Sequence, residues 1–138
     1  MKNINIQIIK IPGINGLGKT KGCENSGNEI LKALREIYTN EQGKLIDVNN
    51  LDIEEIHLDN SNLILSNNLI YKNSLEALNK DRVIFLGGDH NISFSTVKAF
   101  LEHCKKENKK PCLIIFDAHP DLMPANKEPT HEEWLRGI

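Results

Sequence analysis

RVIFLGGDH, residues 82–90, and CLIIFDAHPD, residues 112–121, are the stretches on which the fold turns. Each is a short run of branched and aromatic apolar residues that breaks off into aspartate and histidine. Runs of this length bounded by glycine or proline read as buried strands. Between them, residues 93–107 read as a helix. Working outward toward the N-terminus, residues 61–79 read as another helix and LIDV at 45–48 as a strand. Asn28 to Tyr38 places Ile30, Leu31, Leu34 and Ile37 on one helical face with Ser26 as its N-cap, and Asn3 to Ile9 alternates as a first strand ended by Pro12 and Gly13. Strand and helix alternate throughout. That pattern predicts an α/β domain with a mainly parallel sheet covered on both faces and its ligands gathered at the carboxyl ends of the strands.

Bulk properties narrow the function. The 138 residues fit a single domain, and 17 basic against 19 acidic side chains give a net charge of −2. No basic stripe is present, so nucleic acid is not an expected partner. MKNINIQIIK alternates polar and apolar instead of forming a signal-peptide core, and no apolar run is long enough to cross a bilayer, which predicts a cytoplasmic protein without membrane association. Cys23, Cys104 and Cys112 are odd in number without a close-spaced pair, so they read as small buried or half-buried side chains, not disulfides or a zinc site.

GINGLGKT, residues 13–20, matches a phosphate-cradling loop, and LIIFD at 113–117 could be its magnesium strand, so a nucleotide-binding protein using Gly13 to Thr20 is the competing reading. In such a loop the helix starts at the Gly-Lys-Thr, where free backbone N–H groups meet the phosphates. Here KGCENSG follows Thr20, with two more glycines before apolar periodicity resumes. The expected state is a Gly-rich loop with no helix where the phosphates would need one.

The strand ends carry the chemistry. Side chains two apart in extended chain face the same way, so Asp117, His119 and Asp121 can converge past their strand, and the Gly87-Gly88 pair can turn His90 toward the same crevice. Carboxylates mixed with imidazoles and no thiolate suit manganese. An aspartate after a strand is often only a turn former, and His57 and His103 read as ordinary polar residues. Candidate ligands packed into two strand ends make a metal site the better reading.

GGDH followed by DAHPD resembles the ureohydrolases: the arginases, agmatinases and formimidoylglutamases. The resemblance implies a three-layer α/β/α fold around a parallel sheet, with a pair of Mn2+ ions as cofactor. It implies that His90, Asp117 and Asp121 hold one ion, that His119 and a bridging Asp117 hold the other, that Asp89 is a supporting residue, and that His131 is a catalytic proton shuttle. GLGKTKGCENSG then corresponds to a Gly-rich loop before the first helix. The implied reaction is hydrolysis of a C–N bond in a small guanidino or amidino substrate, giving urea or formamide and an amine. LMPANKEPTH lacks the Ser, Gly and Asn cluster that arginases place before their shuttle histidine, which favours the other members. The family's further Asp-x-Asp motif does not occur here, so residues 1–138 correspond to an N-terminal half, an incomplete domain. A fragment, a half completed by a C-terminal chain and a non-catalytic metal-binding or interaction remnant are the alternatives, and the resemblance makes a complementing C-terminal chain or a homo-oligomer the expected partner.

Overall fold

The computed structural model describes residues 6–16, 18–45, 47, 51–80, 82–125 and 127–138. Three parallel strands form the sheet: β1 (Ile6–Ile11), β2 (Asp52–Glu55) and β3 (Arg82–Gly87), in the order β2-β1-β3. The helices are α1 (Ser26–Leu34), α2 (Leu63–Leu78), α3 (Ile92–Lys106) and a short α4 (Trp134–Gly137). Among the described residues, no helix is long and apolar enough to cross a membrane.

β1 is central and buried along Gln7, Ile8, Ile9 and Ile11. Ile9 and Ile11 point to one face, where they pack with Ile70 and Ala77 of α2, Ile92 of α3, and Ile56. Lys10 points to the other, beside α1, where its ammonium meets Asn28 Oδ1 at 2.7 Å. A parallel strand with helices on both sides must bury both sets of side chains, so consecutive isoleucines replace simple alternation. Gln7 is the exception, and its amide donates to Glu54 Oε1 at 2.9 Å.

The helices α2 and α3 and the strand β3 lie within two residues of their expected positions. The first strand runs to Ile11, past its expected end, and residues 3–5 of the expectation lie outside the described residues. α1 starts two residues before the expected range and stops at Leu34, where i→i+3 bonds such as Ile37 N–H to Leu34 O tighten the last turn. Ser26 is its first helical residue, not its cap, and Ser26 Oγ donates to Cys23 O.

Two strand expectations are corrected. Leu45 makes only an isolated antiparallel bridge to Thr39, while residues 46 and 48 of the expected LIDV strand lie outside the described residues. The sheet strand is instead Asp52–Glu55, fully exposed and mostly acidic. An edge strand with one open side needs no apolar run, and charge along it discourages pairing with another chain. Lys10 on β1 ties it down through Glu55 at 2.5 Å. The expected fourth strand, 112–116, does not join the sheet: no strand of the described residues pairs with it, and its apolar side chains face water. A strand exists only through the ladder of its neighbour, and the outer edge of β3 does not supply one. The three cysteines are unpaired as expected, although Cys112 is exposed where burial was expected.

Candidate metal centre

The carboxyl ends of β1 and β3 are laced together by backbone. Gly88 N–H donates to Ile11 O at 2.8 Å and Asp89 N–H to Gly13 O at 3.0 Å. A Cβ on Gly88 would stand 2.0 Å from Gly13 O, so only glycine lets the two turns approach this closely. Asp89 is buried at the crossing. Its Oδ2 accepts the Asn15 N–H at 2.7 Å and the Thr20 hydroxyl at 2.5 Å, and its Oδ1 accepts the Asn91 N–H at 2.9 Å. The Thr20 hydroxyl of the apparent phosphate loop is therefore spent on a carboxylate. The next α-helix begins only at Ser26, so the loop lacks the helix terminus that a phosphate would require.

This crossing delivers His90. Its Nε2 lies 3.1 Å from Asp117 Oδ2 and 3.1 Å from Asp121 Oδ2. Its Nδ1 lies 2.9 Å from Ser93 Oγ, in the first turn of α3. Nε2 is buried and has no hydrogen-bond partner. With Nδ1–H donating to Ser93, the Nε2 lone pair points at the two carboxylates, an arrangement that repels unless a proton or a cation lies between them.

Asp117 follows the exposed 112–116 run. Its Oδ1 accepts the His119 N–H at 2.8 Å, and that bond holds the carboxyl below the usual carboxylate range. Partial loss of water pulls it the other way, and the neighbouring His90 and His119 reinforce the lowering. Asp121 is buried and adopts φ 48°, a left-handed conformation uncommon outside glycine. Its Oδ2 accepts the indole N–H of Trp134 at 2.6 Å.

The structure thus brings together three of the expected residues. His90, Asp117 and Asp121 offer ligand atoms all within 4.8 Å of one another, and theirs is the one such group among the described residues. One imidazole nitrogen and two carboxylate oxygens form a donor set that fits a divalent cation of the manganese kind. His119 is not drawn into the group: its side chain is 81% exposed, with Nδ1 3.7 Å from Asp117 Oδ1. The chain bends at residues 118–119, so the side-by-side parity of an extended strand does not carry through. For a second cation the described residues supply only Asp117 and His119, so they fit one ion and leave a second short of ligands.

His131 lines a cleft of about 470 Å³ together with His119, Asp121, Met123 and Glu132. Its Nδ1 is buried without a hydrogen-bond partner, and its Nε2 lies 3.8 Å from Glu132 Oε1. It is therefore within the same crevice as Asp121 and His119, although it belongs to no metal group. Sequence reasoning missed Trp134, Asn15 and Ser93. That the chain contains a single tryptophan is the one signal that could have singled out Trp134.

A family-wide sequence model, described as the Arginase family, matches residues 4–136. A formimidoylglutamase of Clostridium tetani (strain Massachusetts / E88) is 35% identical over 109 residues, which cover 78% of this chain and 30% of that protein. Among solved structures, a formimidoylglutamase from Bacillus subtilis superposes with a TM-score of 0.73 at 23% identity, over 96% of this chain and 42% of its own. A hypothetical agmatinase from Burkholderia thailandensis gives a TM-score of 0.76 at 21% identity, over 97% and 44%. At these identities the superpositions speak for the fold. The chain spans less than half the length of each of these relatives.

Proposed function

Because the chain belongs to the arginase family, we propose that it carries the His90, Asp117 and Asp121 side of a manganese centre that hydrolyses a C–N bond in a small amidino or guanidino compound. The observation that carries this reading is the buried, unpartnered His90 Nε2 facing two carboxylates at 3.1 Å. The identity with a formimidoylglutamase favours a formimino compound over a guanidino one. His119, with Asp117, is the proposed ligand of a second ion whose remaining ligands lie outside the described residues. The proposed location is the cytoplasm.

When bound, such ions would act as Lewis acids and lower the pKa of a coordinated water. The chain's own residues do the rest. Ser93 holds the His90 ring with Nε2 free, the His119 amide keeps Asp117 ionised, and Trp134 orients Asp121. His131 borders the cleft with an unpartnered Nδ1, which supports its reading as the donor of a proton to the departing amine. A metal-binding protein without turnover is the second reading, favoured by the fact that only one group of three donors forms among the described residues.

Equilibrium titration with Mn2+, following free Mn2+ by electron paramagnetic resonance, tests the centre. The unsubstituted chain is expected to bind saturably, and His90→Ala to weaken binding by more than about 100-fold, beyond what loss of a ligand-supporting group costs. Unchanged binding in His90→Ala would remove the basis of the proposal.

A further inference from the structure

The segment from Pro129 to Gly137 is strapped across the candidate centre at several points. Asn15 Nδ2 donates to Pro129 O at 3.0 Å, while the backbone N–H of the same Asn15 is held by Asp89 beside His90. Thr130 is fixed through its N–H to Glu133 Oε2 at 2.7 Å, and its hydroxyl bonds the same oxygen. Further along, Arg136 N–H reaches Asp121 O at 3.4 Å, Met123 N–H reaches Glu132 O at 3.3 Å, and Arg136 Nη1 donates to Leu122 O at 3.2 Å. The strap is anchored at one end to Asn15 in the loop after β1, which Asp89 in turn holds, and at the other to the turn that bears Asp121.

Trp134 sits in the middle of it, 1% exposed. Its N–H makes a 2.6 Å bond to the Asp121 carboxylate, and its ring meets the His90 ring edge-on, with centroids 5.0 Å apart and planes at 61°. One side chain therefore touches two of the three donors. A hydrogen bond to an ionised carboxylate is short and directional. Asp121 needs such a restraint, because its left-handed backbone is a conformation that persists only when surroundings impose it.

We infer that Trp134 is a positioning residue for the cation: its indole N–H fixes the rotamer of Asp121 so that the carboxylate faces His90 and Asp117, and its ring holds His90 from the side. This rests on the metal reading above. A tryptophan that only filled space would need its shape and not its N–H. The strap thus preassembles the ligands before a cation arrives, and affinity comes from orientation that need not be established on binding.

The test separates shape from donor. Mn2+ is titrated into the full chain, into Trp134→Phe, and into a chain carrying β-(3-benzothienyl)alanine at 134, where sulfur replaces the N–H in a ring of the same outline. Free Mn2+ is read by electron paramagnetic resonance, and metal-free melting temperatures establish that the fold is kept. In the unsubstituted chain the emission of the single tryptophan is expected to be quenched in step with Mn2+ uptake. Both replacements are expected to weaken Mn2+ binding about tenfold or more, with the benzothienyl chain keeping the metal-free melting temperature. Affinity within about twofold of the unsubstituted chain in the benzothienyl variant would overturn the inference while leaving the centre standing. Failure of the unsubstituted chain to bind Mn2+ saturably would overturn the centre itself, and this inference with it.

Discussion

Gly88 and Asp89 show how much a single position contributes here. The ends of β1 and β3 can be laced together only because Gly88 leaves room for Gly13 O. Backbone cannot yield as a side-chain tip can. Gly88→Ala is therefore expected to destabilise the protein by about 1–3 kcal/mol, the usual cost of overpacking, read as a lower urea midpoint with unchanged slope. The residues that were legible in the sequence are those whose position follows from the end of an apolar run, whether or not that run joins the sheet. His90 and Asp117 each fall just past an apolar run, and they meet. His119 does not converge with them, because that direction needs extended chain and the chain bends at 118–119. Trp134 left no trace in the pattern, since a side-chain bond across thirteen residues to Asp121 has no period.

At the scale of elements, buried periodicity was readable and exposed pairing was not. α2 and α3 bury stripes that mix Ile70, Ala77, Ile92 and Ala99 with serine, asparagine and threonine, and β3 half-buries Val83 and Phe85 against them. β2 buries no such stripe, because its contribution to the sheet is backbone hydrogen bonding plus polar contacts from Gln7 and Lys10. The entry to α2 is likewise polar. Asp59 Oδ1 accepts both the N–H of Ser61 at 2.9 Å and its hydroxyl at 2.5 Å, and Asn62 Oδ1 caps the helix through Leu65 N–H. The Ser61 hydroxyl, followed by its amide, holds the Asp59 carboxyl below its ordinary value of 3.8. A depressed folded-state value means that the contribution is present above pH 3.8 and fades as the pH falls through the lowered value. Ser61→Ala is expected to return the Asp59 carboxyl toward its ordinary value in a carbon-13 NMR titration and to flatten that acid limb of stability.

The whole molecule is asymmetric in what it shows to water. β2 closes one side of the sheet with charge, whereas the 112–116 run stays outside the sheet, with Ile114 74% and Phe116 98% exposed. Apolar side chains in so exposed a place contribute almost nothing to the folded state of one molecule. They also form a short, uncharged stretch of strong strand-formers, the kind that pairs between molecules. Phe116→Lys is expected to leave the melting temperature within about 2 °C, since a surface change of this type is worth less than about 0.5 kcal/mol, and to reduce light scattering in concentrated samples. If scattering were unaffected, association would have to run through another surface.

That bare ribbon also changes what limits the working lifetime of the protein in a tube. Encounters between two copies scale with the square of concentration, while unfolding of one copy does not depend on it. Dilution is therefore expected to slow any loss that runs through this ribbon, and a loss rate that did not change on dilution would rule that route out.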